Sequence, residues 1–558
     1  MEPVPIVQTP ATTVTSLRAD LAKAWKRPAW RWPDAFALAI LAALALIAAA
    51  TFQDYGLGWD DWVQSHYGHL LVSLYSSGFA DKRAFSFDNL YMYGGGFDLV
   101  ATLSSKILPF DPWATRRLLG AAVGLVGLFT VWRLTRRLGG PLAGLIALAL
   151  LATCPLFYGH MFINCKDAPF AVVMMLVLLG IVHAFEQYPH PRPATVALLS
   201  IAIGLAVGTR VLGGFAVIEA LLSFLLIVAL RSRTQGRRQA FDECASFLLP
   251  FIPGAVIAYL VMGLVWPWGV VAPLNPFRAA FYFSHDFVIP WRDLFDGRPT
   301  SILHMPRGYV PTLLAVQLPE LMLVLGLCGF AGALVAVCRP GSAIDVRKRA
   351  SLLAVLLAAS LPILMTVITL PYIFNGIRHL LFVVPPIAVL GGLAGGWIAR
   401  RLAAYGRVAI AAGAVALAAG TISPIVDMIR LYPYEYTDFN HLVGGAKGAR
   451  PLFMLDYWGL SLTQASRGLI ALLAQRHETP PNGPWKVAVC GPETPVRIAL
   501  GPAFKLTTPQ QADFVLSLGE FYCAKLDAPV LLQIIRDSIV YARVYDIRGR
   551  SIAKLTTE

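Results

Sequence analysis

Two adjacent carboxylates, Asp60 and Asp61, stand in the stretch YGLGWDDWVQSHYG, directly after the apolar run 36–52. Three cations recur farther on, each in a very short turn between apolar runs: Lys166 in GHMFINCKDAPF, Arg210 in VGTRVLGG and Arg378 in YIFNGIRHLLF. A charge at membrane depth is costly unless it is paired or used, so one anion contacted by all three is a single physical reason for the set. The bland alternative is that each reaches to lipid headgroups or pairs with a neighbour such as Asp167. Carboxylates beside a cation-lined anion site suit a particular chemistry. The carboxylate takes the proton of an attacking hydroxyl, while Lys, Arg or protonated His stabilises a departing phosphate. A sugar carried on a lipid phosphate fits both halves. Its phosphate leaves readily, one base suffices, and a single displacement inverts the anomeric centre.

These residues need elements to hold them, and composition names the class of element. The chain has 558 residues, of which 57% are hydrophobic and only 14% charged, with a mean hydropathy of +0.63; this is the signature of an integral membrane protein. A hydrocarbon core about 30 Å thick needs roughly 20 apolar residues of helix. Runs of that kind predict a polytopic α-helical protein of about eleven transmembrane helices, at 34–53, 114–133, 141–160, 168–186, 194–212, 213–230, 246–266, 311–337, 351–371, 379–399 and 408–429. The first run is too long and too far from the start for a cleavable signal, and stays as an anchor.

Lys and Arg in short loops are retained on the cytoplasmic side. The N-terminal segment holds Arg18, Lys23, Lys26, Arg27 and Arg31, and every second loop after it is basic, around Arg136, Arg237, Arg347 and Arg400. The expected organisation is therefore a cytoplasmic N-terminal segment, 1–33; a transmembrane domain, 34–430, with a first outer loop at 54–111 and another at 267–310; and an extracytoplasmic domain, 431–558. The formal charge of +14 is mostly this topology signal, and no motif or aromatic-basic face argues for nucleic acid. In the last domain KVAVCG, ADFVLSLG and VYARVYDIRG read as short strands and SLTQASRGLIALLAQR as an amphipathic helix, a small α/β unit. Seven cysteines are too few for a disulfide framework; Cys490 and Cys523 share the outer domain, and whether they are bridged stays open.

The acid pair in WDDW, the second acidic motif FINCKDAPF at the outer end of the third span, the many spans and the outer C-terminal domain resemble the GT-C membrane glycosyltransferases. The likeness is to the bacterial branch related to protein O-mannosyltransferases and to the aminoarabinose transferase that modifies lipid A. YPYEYTDFNHLVGGAKGA followed by LDYWGLS also resembles bacterial members of this group. The resemblance implies a GT-C-like fold in the bacterial inner (plasma) membrane, surrounded by membrane lipid. It also implies an inverting hexosyl- or pentosyltransferase that moves a sugar from a polyprenyl-phosphate-linked donor to a protein, lipid or polysaccharide acceptor at the outer face.

Carried over by position, Asp60 is the candidate base with Asp61 beside it; the family often has Asp-Glu where this chain has Asp-Asp. Asp167 matches the second acid, which orients the acceptor or holds a divalent cation. Members differ in metal need, so a Mg or Mn ion is left open, with Asp60 and Asp167 as its ligands if one is used. Lys166, Arg210, Arg378 and His379 form the expected phosphate site. His160 and Asn164 flank Asp167 as supporting residues, Asn164 alternatively capping the next helix. Glu219 and Glu320 lie within expected spans, Glu320 able to face the cavity and Glu219 pairing locally, and NLYMYGGGFDL makes a tight glycine turn in the first loop. Two competing readings are a transporter or flippase of a lipid-linked or anionic substrate, and an oligosaccharide ligase or polymerase using diphosphate-linked donors. No internal repeat or paired broken helices of the transporter kind are visible.

Overall fold

The computed structural model describes residues 32–287, 289–339, 344–480 and 483–550. The N-terminal segment and its five cations lie outside the described residues, apart from its last two positions.

Among the described residues nine helices are long and apolar enough to cross a membrane, from Trp32–Asp54 to Arg407–Leu431. Two more segments complete the expected set. Pro141–Ala152 and Pro155–Ile163 form one run bent by 65°; Pro155 has no N–H to continue the ladder, so the helix restarts there. Pro193–Thr209 is a shorter apolar helix. All eleven expected segments are therefore helical, two of them falling short of a straight full span. The expected run 311–337 is itself divided, into Tyr309–Gln317 and Glu320–Cys338 at Leu318 and Pro319. The chain is a multi-pass membrane protein.

Helices Pro112–Gly139, Pro141–Ala152, Asp167–Glu186 and Arg378–Ala403 make the centre of the bundle, while Trp32–Thr51 and Arg407–Leu431 face outward along most of their length. One end of the bundle is laced by arginines: Arg136 to Asp34, Arg137 to Glu186, Arg347 to the Glu186 carbonyl and Arg400 to the Gly139 carbonyl. The other end carries the loops 54–111 and 267–310 and the C-terminal domain, which are joined to one another. Trp59 N–H donates to the Trp458 carbonyl (3.2 Å) and Gly297 N–H to the Leu452 carbonyl (3.1 Å). These three segments therefore gather at the same end of the bundle.

In loop 267–310 a hairpin pairs β1 (Arg292–Phe295) with β2 (Arg298–Ser301). The C-terminal domain has β3 (Trp485–Cys490), β4 (Phe504–Leu506), β5 (Phe514–Leu518), β6 (Val530–Arg536) and β7 (Ile539–Asp546) in the order β4-β3-β5-β7-β6. β4, β3 and β5 are parallel, and the β6–β7 hairpin joins antiparallel to β5. The three strands read from sequence are β3, β5 and β7, and the amphipathic helix is Ser461–Gln475. Cys490 and Cys523 are disulfide-bonded, with Cα atoms 5.7 Å apart.

Candidate active site

Helix Asp61–Ser76 starts at the acid pair, and its first turn separates the two carboxylates. Asp60 sits at the N-cap position, but its side chain makes no capping bond. It reaches the Arg378 guanidinium instead (Oδ2 to Nη1, 3.1 Å), with 28% of the side chain exposed. Asp61 is 2% exposed and wholly occupied. Both its oxygens accept from Arg117 at 2.7 Å, and Oδ2 also accepts from the Gly58 N–H at 2.7 Å. The structure brings Asp60, and not Asp61, to the cavity. A buried Asp61 that accepts three hydrogen bonds pins the loop that presents Asp60.

That cavity, about 820 Å³, is lined by Asp60, Lys166, Arg210, Arg378 and His379 together. The three cations that looked anomalous in separate turns therefore share one space. Arg210 forms an ion pair with Asp167, the first residue of helix Asp167–Glu186. The Lys166 ammonium lies 4.4 Å from the Tyr93 ring centroid and the Arg210 guanidinium 5.6 Å from it, so both cations meet the same ring. Burial holds Lys166 below the usual lysine range, against the opposing pull of Asp60. Arg378 lies over Trp458 (4.8 Å) and Phe374 (5.0 Å). His379 meets the Phe374 ring edge to face.

Glycines place Tyr93. Gly94 N–H donates to the Thr209 carbonyl and Gly95 N–H to the Val265 carbonyl. A Cβ on Gly94 would stand 1.4 Å from the Gly208 oxygen, so the loop docks on the neighbouring helix ends only because nothing is there. Gly58 has the same role under Trp458, where a Cβ would lie 1.7 Å from the indole.

His160 and Asn164 support and do not line the cavity. Asn164 Oδ1 accepts from the Asp167 N–H (2.8 Å) and its Nδ2 donates to Asp167 Oδ2 (3.0 Å), so it both starts the helix and aims the carboxylate. His160, fully buried, lies between Asn164 (3.2 Å) and the Tyr457 hydroxyl (2.9 Å). Glu320, expected to be able to face the cavity, instead accepts from the His441 N–H at 2.7 Å. Glu219 is buried in its helix, and its Oε1 has no hydrogen-bond partner among the described residues. Asp60 pairs with Arg378 and Asp167 with Arg210. Among the described residues no three His, Cys, Asp or Glu side chains are grouped to hold a metal ion.

Sequence reasoning missed three features. The buried pairs Arg116–Asp98 and Arg117–Asp61 frame the site. Their signal was present, since ATRRLL puts two cations at a span end where the orientation rule expects none. Tyr93 was hidden among other aromatic residues of a loop. Asp293 on β1 accepts from Tyr309 (2.7 Å), Trp291 (3.0 Å) and the Asn375 N–H (2.7 Å), tying the hairpin to the segment that leads into Arg378. Burial raises the Asp293 carboxyl and these three donors counter it.

A search of curated proteins finds no match. Among solved structures the chain is similar to ArnT from Cupriavidus metallidurans bound to undecaprenyl phosphate, at 14% identity and a TM-score of 0.47, over 91% of this chain and 97% of that one. It is also similar to the archaeal oligosaccharyltransferase AglB from Archaeoglobus fulgidus, in complex with an inhibitory peptide and a dolichol-phosphate. There the identity is 14% and the TM-score 0.47, over 87% of this chain and 70% of that one. Residues 96–257, the stretch that holds Lys166, Asp167 and Arg210, match the family model described as dolichyl-phosphate-mannose-protein mannosyltransferase, and in doing so bear out the likeness to the membrane glycosyltransferases of that kind.

Proposed function

We propose that this chain is an inverting glycosyltransferase that moves a sugar from a polyprenyl-phosphate donor to an acceptor hydroxyl at the outer face of the membrane. The observation that carries the reading is one cavity in which the part-exposed Asp60 carboxylate stands among Lys166, Arg210 and Arg378. The same cavity continues along an apolar flank. Leu212, Phe215 and Ile218 line it from one span and Pro362, Met365 and Thr366 from another, which suits a lipid chain leading from a phosphate out between two helices. The matched family's description also names a lipid-monophosphate sugar.

The acceptor O–H gives its proton to Asp60 as its oxygen bonds to the anomeric carbon. The bond from that carbon to the phosphate oxygen breaks, and its electron pair leaves with the polyprenyl monophosphate. Lys166, Arg210 and Arg378 meet the charge that develops on the leaving oxygen. A bound phosphate also draws Arg378 away from Asp60, which frees the carboxylate to act as a base.

Supporting this sidedness, loop 54–111, loop 267–310 and the disulfide-bonded C-terminal domain share one face, and disulfides persist in oxidising compartments. Mass spectrometry of the lipid product tests the reaction class. Polyprenyl monophosphate is the expected lipid product, and NMR of the glycosylated acceptor should show the anomeric centre inverted; polyprenyl diphosphate would replace this reading with an oligosaccharide ligase or polymerase. Movement of intact donor across the membrane without any cleavage would replace it with a flippase.

A further inference from the structure

The three cations of the cavity are not equally well anchored by their own elements. Lys166 stands at the start of helix Asp167–Glu186 and Arg210 at the end of helix Pro193–Thr209, whereas Arg378 follows a stretch without regular structure, 370–374. The turn between that stretch and Arg378 has two left-handed residues in succession, Asn375 (φ 58°) and Gly376 (φ 71°). Glycine takes that conformation freely, but asparagine needs something to hold it. The side-chain oxygen of Asn375 does not, since Oδ1 is buried without a hydrogen-bond partner among the described residues. The Asn375 N–H donates instead to Asp293 Oδ2 (2.7 Å). The Gly376 N–H meets the Tyr309 hydroxyl, which itself donates to Asp293 Oδ2 (2.7 Å). One buried carboxylate thus anchors the turn that aims Arg378.

The anchor is itself fixed from behind. Asp293 is 2% exposed, and its Oδ1 accepts from Trp291 Nε1 at 3.0 Å. Phe295, on the same strand, packs against Tyr309 (centroids 5.1 Å apart) and against Phe453 of the C-terminal domain (5.8 Å). Burial raises the Asp293 carboxyl; its three donors and, more weakly, the charge of Arg378 lower it, so the carboxylate also feels the guanidinium it helps to place. We propose that Asp293 is a positioning residue for transfer: by holding the Asn375 N–H it keeps the Arg378 guanidinium where it meets Asp60 and, in turn, the donor phosphate. This role rests on the transfer reading. Asp293 does not line the cavity, and its effect passes through Arg378.

Binding of the lipid phosphate without any sugar tests this. The full chain in detergent is titrated with undecaprenyl monophosphate, and occupancy is read by native mass spectrometry for the native chain, Asp293→Asn, Arg378→Ala and the double variant. Asp293→Asn should weaken binding by about tenfold, the scale of one charge-assisted contact misplaced. In the Arg378→Ala background it should cost less than about twofold, because the two act on one contact. A merely structural loss would weaken binding alike in both backgrounds, and that result overturns the proposal. Tyr309→Phe keeps the Asn375 contact and is gentler on the fold; it should weaken binding by about threefold, again only with Arg378 present. Should Asp293→Asn fail to fold, Tyr309→Phe decides alone, and unaltered binding by whichever variant is folded overturns the proposal. Binding that Arg378→Ala leaves unchanged would remove the phosphate site of the transfer reading, and this role with it.

Discussion

Two neighbouring carboxylates of the same type have different fates because one backbone turn gives them different partners. Asp61 is enclosed by Arg117 and the Gly58 N–H, whereas Asp60 is left at the cavity wall facing Arg378. Arg117→Leu should therefore destabilise the protein by about 3–5 kcal/mol, since it leaves a buried carboxylate alone; the loss would show as a lower midpoint of thermal unfolding. Arg210→Ala and Arg378→Ala should each weaken donor binding, and the double variant should lose less than the sum, because the two share one phosphate. Additive losses in a donor titration would instead mark independent lipid contacts. Lys166 adds a pH dependence. Its ammonium is held below the ordinary lysine range of about 10.4, and only the charged form attracts phosphate. Donor affinity should then fall as pH rises through that lowered value, and Lys166→Met should flatten the profile.

At the scale of elements, buried carboxyls hold the C-terminal domain together and tie it to the first outer loop. Glu435 accepts from the Tyr55 hydroxyl at 3.0 Å, and Glu520 Oε1 accepts from the N–H groups of Asp456 (2.7 Å) and Leu455 (3.2 Å). Burial raises both carboxyls to about 7, Glu520 with a smaller contribution from Asp456. Between the ordinary glutamate value near 4.3 and about 7 the folded state binds more protons than the unfolded one, so stability falls as pH rises through that window. Thermal unfolding of the full chain should shift downward from pH 5 to pH 8, and Glu435→Gln should reduce the slope. The sequence carried the spans well, because an apolar run of sufficient length has few alternatives in a bilayer. β3, β5 and β7 were legible from their apolar character, whereas β4, three residues long, and β6 in VLLQIIR were not singled out. Lys166, Arg210 and Arg378 were legible as exceptions to a charge rule. Trp291 and Asp293 were not, since their importance lies only in which distant segments the hairpin meets.

For the whole molecule, the account requires the cavity, the hairpin and the C-terminal domain to lie outside. Gln475→Cys, at the exposed end of helix Ser461–Gln475, should react with a membrane-impermeant thiol reagent in intact spheroplasts; labelling only after lysis would put that face in the cytoplasm. With sidedness settled, the central claim is that Asp60 takes the acceptor's proton while the cations hold the departing phosphate. The most direct test is single-turnover release of polyprenyl monophosphate by the native chain and by Asp60→Asn, each saturated with donor. The account predicts that Asp60→Asn still binds donor but releases the monophosphate slower by roughly 10² to 10⁴. Release at the native rate by Asp60→Asn would contradict it.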